Sequence, residues 1–205
     1  MNYLERLKKV AQAGGLILHY IQSKWTNKSC ASAGINTVPI QFSVKNARSL
    51  IGVLRLLGNE RDERLEKIGK YQIPSNDSTK SFEIYAQQGG VQYPSSKITS
   101  YTEAYRQMKQ VFKVDGDLDY GNQITRALYT SADNPTTTNN ALLAPRFIFA
   151  LDLTKGGNSG ISTRDGPLEF VLNQEVAVSG LSVDLFLQYD YFLLIKNSSE
   201  VFQEY

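Results

Sequence analysis

The 205-residue sequence predicts an all-β fold, a jelly-roll β-sandwich of about eight antiparallel strands with one inserted helix at about 100–113 and a short N-terminal helix. Three observations predict it. Apolar residues alternate with polar ones at a spacing of two over much of the chain, which marks strands with one buried face. The prolines, at 39, 74, 94, 135, 145 and 167, fall at the margins of those runs or between them, where a missing backbone donor does least damage to a ladder. Helical spacing of three and four is confined to two short stretches. Strands in this number, joined by long connections, suit two Greek keys folded face to face.

The first helical stretch, residues 2–13, places Leu4, Leu7, Val10 and Ala11 on one face. It is expected as a connecting helix over 1–13, ahead of a single jelly-roll domain over 14–205. Strand candidates follow at 16–21, 38–44, 50–57, 82–87, 91–93, 147–153, 168–176 and 181–195. The last is the clearest: Leu181, Val183, Leu185, Leu187, Tyr189, Tyr191, Leu193 and Ile195 alternate with residues that include Ser182, Asp184, Gln188 and Asp190. At ~3.3 Å per residue this is one strand of roughly 45–50 Å. Val38, Ile40, Phe42 and Val44 repeat the pattern, as do Phe147, Phe149, Leu151 and Leu153.

The second helical stretch places Tyr101, Ala104, Tyr105, Met108, Val111 and Phe112 together. Ser100 and Glu103 stand at capping-box spacing, in which the hydroxyl accepts from the N3 amide and the carboxylate reaches back to the N-cap amide. Gly116 supplies a stop. Among the connections, 59–70 carries charges of both signs that nearly cancel and reads as a solvated loop or short surface helix. The Thr- and Asn-rich stretch 130–140 reads as an exposed loop, and the glycines of 156–160 with Asp165-Gly166-Pro167 bracket a tight link.

Composition narrows the function. The apolar fraction of 41% can build a sizeable core. The 22 basic and 20 acidic side chains leave a net charge of +2, too small and too evenly spread for a phosphate-binding groove. The single cysteine, Cys30, forms no internal disulfide, and the single histidine, His19, excludes a multi-histidine metal centre such as a cupin enzyme needs. The basic start, with Arg6, Lys8 and Lys9, is followed by too short an apolar run for a secretion signal, and the apolar stretch 181–195 is broken by Asp184, Gln188 and Asp190, so no membrane span is expected.

No catalytic, cofactor-binding or metal-binding residue is assigned. Asp115, Asp117 and Asp119 alternate as in a calcium loop, but the turn glycine is Gly121, one place late, and Arg126 stands where a bidentate Glu is needed. The run from Lys155 to Gly160 lacks the Gly-Lys-Ser/Thr ending of a phosphate loop and no helix pattern follows it. A nucleophilic dyad would have to use both His19 and Cys30; His19 reads as an ordinary sheet residue and Cys30 as a loop thiol. A carboxylate pair for glycoside hydrolysis has no marked candidates. The sequons at Asn27, Asn76 and Asn197 are of a kind common by chance. Trp25 and the twelve tyrosines suit packing better than stacking on sugars or bases.

Several strings carry a resemblance. They are Arg146-Phe147-Ile148-Phe149-Ala150-Leu151-Asp152-Leu153, then Ser159-Gly160-Ile161-Ser162-Thr163-Arg164 with Pro167-Leu168, and Leu187-Gln188-Tyr189-Asp190-Tyr191 through Leu194-Ile195. Upstream stand Gly14-Gly15-Leu16-Ile17-Leu18-His19-Tyr20, Phe42-Ser43-Val44-Lys45-Asn46-Ala47-Arg48-Ser49-Leu50, and Gly90-Val91-Gln92-Tyr93-Pro94 before Glu103-Ala104-Tyr105. In this order they resemble the C-terminal jelly roll of double jelly-roll major capsid proteins of the Polinton-like virus, adintovirus and virophage type. Members of that family carry two jelly rolls in one longer chain, and this sequence corresponds to the second.

The resemblance implies a structural capsid protein with no catalytic role. It implies trimeric capsomers of pseudo-hexagonal outline, an icosahedral shell, and a place in the virion beside penton and minor capsid proteins. Neither sequence-specific nucleic-acid binding nor a cofactor is implied. The alternative is a jelly-roll module that binds a carbohydrate or a receptor, which would need aromatic residues clustered at loop tips; the loops here are rich in Ser, Thr, Asn, Asp and Gly.

Overall fold

The computed structural model describes residues 16–56, 82–112, 148–154, 159–175, 177, 179–196 and 200–204. Among these, nine strands form two antiparallel sheets. The first runs in the order β1 (Leu16–Ser29), β8 (Leu181–Lys196), β3 (Ala47–Leu56) and β6 (Ile148–Asp152), with β9 (Glu200–Glu204) also pairing β8. The second runs β2 (Gly34–Ile40), β7 (Leu168–Gln174), β4 (Phe82–Gln88) and β5 (Val91–Ile98). From β1 to β4 each strand lies in the opposite sheet from its predecessor, and so do β6, β7 and β8. This interleaving is the jelly roll the sequence predicts.

The two-residue rhythm of β8 decides the layering. Leu181, Val183, Leu185, Leu187, Tyr189 and Tyr191 all point between the sheets and are buried. On the facing sheet Phe170 and Leu172 of β7 and Ile84 and Ala86 of β4 answer them. Phe149 of β6 and Phe170 of β7 stack across the gap with ring centroids 5.2 Å apart. A fully buried Phe contributes about 1.5–3 kcal/mol, so this pair is among the larger single contributions to the contact between the sheets. Phe149 fits because its partner across the ladder is Gly52; a Cβ there would overlap the ring.

Turn chemistry follows the backbone. Gly89 and Gly90 join β4 to β5 with φ of 55° and 81°, the two left-handed positions of a tight hairpin turn. The helix α1 (Tyr101–Phe112) lies along β6, with Ala104, Gln107 and Met108 buried. The Glu103 amide donates to the Ser100 hydroxyl at 3.2 Å, so half of the expected capping box forms. Its other half does not: the Glu103 carboxylate accepts from the Ser96 hydroxyl at 3.4 Å.

Several element bounds differ from the sequence reading. β1 continues to Ser29, well past the expected 16–21. The run 38–44 keeps its alternating burial, yet its strand is Gly34–Ile40. Beyond Ile40 the chain leaves the second sheet for the first, and the Val44 amide donates to the Thr163 hydroxyl at 2.8 Å instead of joining a ladder. The ninth strand, β9, has too weak an alternation to have been expected. The predicted helix at 1–13 and the loops at 59–70 and 130–140 lie outside the described residues.

Candidate functional site

Paired residues of an antiparallel ladder share a face. The outward face of the first sheet therefore sets Trp25 beside Phe186, Asn27 beside Asp184, Ile21 beside Asp190 and His19 beside Phe192. Asp184 and Asp190 belong to the outward set of β8, but flanking strands bury both.

Each carboxylate is matched by donors from neighbouring strands. Asp184 accepts from Trp25 Nε1 at 3.0 Å and Asn27 Nδ2 at 2.8 Å, and pairs with Arg55 of β3. Asp190 accepts from Asn46 Nδ2 at 2.8 Å and Arg48 Nε at 2.7 Å, and lies 2.8 Å from His19 Nε2. His19 also stacks on Phe192 with centroids 4.8 Å apart. Arg48 reaches this face because the register of β3 on β8 shifts between Ala47 and Ser49; the extra residue of such a bulge is re-aimed.

Asn46 ties the corner together. Its φ of 59° is a left-handed value that Asn tolerates better than most residues. Its carbonyl side-chain oxygen accepts from the Gly160 amide at 2.9 Å while its amide nitrogen donates to Asp190. Gly160 comes so close that a Cβ would collide with the Ala47 carbonyl.

Both outward faces mix apolar and polar groups, and Ile35 is the exposed apolar residue of the second. On the first sheet Ile21, Trp25 and Phe192 are exposed apolar groups. On the second the outward side chains include Glu83, Lys97, Asn173, Gln87 and Glu169, with Lys97 Nζ 2.9 Å from Glu83 and Gln87 donating to Glu169 at 2.7 Å. Bonds from Lys97 and Asn173 hold the Glu83 carboxyl below its ordinary range, and the same bond raises Lys97.

The geometry separates two sets of residues whose chemistry could be considered from sequence. His19 and Cys30 stand near opposite ends of one region of extended chain, eleven positions apart, so at ~3.3 Å per residue roughly 35 Å separates them and no dyad forms. Cys30 lies in the connection between β1 and β2, as read from sequence, and is buried there, which pushes its pKa up to about 11. Asp184 and Asp190 are six positions apart on one strand, roughly 20 Å, beyond the ~5–9.5 Å of a glycosidase pair. Asn27 spends its side-chain amide on Asp184.

Asp115, Asp117 and Asp119, the glycines at 156 and 157, and the sequons at 76 and 197 lie outside the described residues. Among the described residues no cluster of three or more His, Cys, Asp or Glu side chains could hold a metal, and no helix is long and apolar enough to cross a membrane. Sequence reasoning missed the two buried carboxylate clusters. The acidic residues in β8 and the arginines at 48 and 55 were visible, but their pairing depends on ladders between segments more than a hundred residues apart.

No protein-family model and no curated protein sequence matches the chain. Solved structures do match in fold. A chain of the PBCV-1 virus capsid quasi-atomic model is similar over all of this chain and 55% of its own length, with a TM-score of 0.56 and 10% identity. The Sputnik virophage structure by cryo-EM at 3.5 Å resolution is similar over 93% of this chain and 39% of its own, with a TM-score of 0.49 and 14% identity. This chain thus spans about half the length of the first of these chains. At such identities the likeness is one of fold, and that fold is the one the sequence resemblance implies.

Proposed function

We propose that the chain is a structural building block of a viral shell, a jelly-roll unit of a major capsid protein. The observation that carries this is the interleaved strand order, β1-β8-β3-β6 over β2-β7-β4-β5, together with fold similarity over the whole chain to a virus capsid chain. On this reading residues 14–205 are one jelly-roll unit with no catalytic role. The unit self-associates into trimeric, pseudo-hexagonal capsomers of an icosahedral shell, in contact with penton and minor capsid proteins, and resides in the virion.

The distribution of apolar surface supports assembly over the alternative of a carbohydrate- or receptor-binding module. Trp25, Tyr20, Ile21 and Leu18 are exposed along one strand, not gathered at loop tips around a concavity. Negative-stain electron microscopy of the purified chain tests the proposal: flat rings of three- or six-fold outline, or closed shells, are expected. Monomeric particles that bind glycans on an array would replace it with the module reading.

A further inference from the structure

The geometry points to β1 as a pairing edge for a second copy of this chain, the two β1 strands running antiparallel about a two-fold axis at Ser23. β1 ends the first sheet, so one side of its backbone has no partner strand among the described residues. An open row of amides and carbonyls is a template for another strand. Of the other marginal strands, β2 contains Pro39, β5 contains Pro94, α1 lies along β6, and β9, which pairs β8 alone among the described strands, is only five residues long. β1 is the longest of these five strands and has neither proline nor glycine.

Side-chain exposure identifies an edge occupant instead of one lying on a face. Ile21 and Trp25 are 55% and 57% exposed on the outward face, while Leu18 and Tyr20, on the inward face, are 42% and 40% exposed. A body docked on either face would cover one pair and leave the other. An added strand flanks both. Their open surface is roughly 400 Å² per chain, taking ~150–250 Å² for a whole aromatic side chain. A symmetric pair doubles that before any backbone is counted, close to the ~1,000 Å² a specific interface needs.

The strand is also self-complementary. Pairing about Ser23 sets Ile21 opposite the Trp25 of the second copy, twice over, and Gln22 opposite Lys24. Lys28 falls opposite Leu18, so no lysine faces a lysine. Lys24 already points inward, its Nζ 5.7 Å from the Phe42 ring centroid and 5.6 Å from that of Tyr189, and does not guard the edge. Trp25 is held ready by its bond to Asp184. The pairing rests on the edge itself and does not depend on the shell reading.

Cross-linking of the full-length chain tests the register. Ser23→Cys places two thiols at the two-fold axis, where directly opposed Cβ atoms lie about 4.5–5.5 Å apart, near disulfide span. Mild oxidation should link this variant into dimers, while Ser29→Cys and the parent, with Cys30 alone, stay unlinked. Ile21→Lys, at an exposed site, should leave circular dichroism unchanged, and the melting temperature unchanged at concentrations where both chains are monomeric, yet weaken self-association by about tenfold or more. Equal linking of Ser23→Cys and Ser29→Cys, or identical sedimentation of Ile21→Lys and the parent, overturns the pairing. Rings that persist in Ile21→Lys with Ser23→Cys unlinked would overturn it and leave the shell function standing.

Discussion

Gly52 lacks a side chain because the Phe149 ring occupies the place one would take. Gly52→Ala must therefore displace a ring that stacks on Phe170, and overpacking of this kind costs typically ~1–3 kcal/mol. Urea unfolding should show a lower midpoint with an unchanged slope, the shift multiplied by the slope giving that free energy. Cys30 gives a pH-dependent counterpart. Burial holds its folded pKa at about 11, above the ordinary value of 9.0 for a free thiol, so the folded chain keeps a proton that the unfolded chain releases. Stability then falls as pH rises from about 9 to about 11, by up to ~1.4 kcal/mol per unit. Cys30→Ala removes this slope, and the difference between the two chains' unfolding free energies at pH 8 and pH 10.5 measures it. Neither residue announced its role in the sequence. Position 52 sits in an apolar run, but that an aromatic ring covers it depends on which strand pairs with β3.

Strands and the helix were largely legible, because each is decided by spacing within one short window. β8 emerged with nearly its full length from alternation alone, and α1 from an apolar stripe with a hydroxyl at its start. Ser100→Ala should destabilise the chain by about 1 kcal/mol, the usual value of an N-cap, read as a lowered unfolding midpoint. Glu103→Gln should cost less, since its carboxylate meets the Ser96 hydroxyl and not the N-cap amide. Less legible was where alternation stops being a ladder. Phe42 and Val44 continue the rhythm of Val38 and Ile40, yet their segment crosses between sheets and bonds to Thr163. Burial preserves the pattern there while hydrogen bonding does not, and a sequence records only burial. β1 was underestimated for the converse reason: Ser23, Lys24, Asn27 and Lys28 look like a loop, and β8 makes them a strand.

At the scale of the molecule, exposed apolar residues gather along β1, where Leu18, Tyr20, Ile21 and Trp25 share one strand, while the second sheet's outward face sets Ile35 among charged and amide side chains. Composition could not show this, since a net charge of +2 averages over both. Asymmetry of that kind suits a unit that buries one side against its neighbours and leaves another wet. Buried Asp184 and Asp190 stiffen the apolar side by tying β1 to β8 and β8 to the β3 corner, so that its residues meet a partner already ordered. Sedimentation velocity across a broad concentration range tests the central claim, that this jelly roll exists to associate with its own kind. The expected result is a discrete species of several chains that grows at the expense of the monomer as concentration rises; a single 22.9 kDa species at every concentration would contradict it.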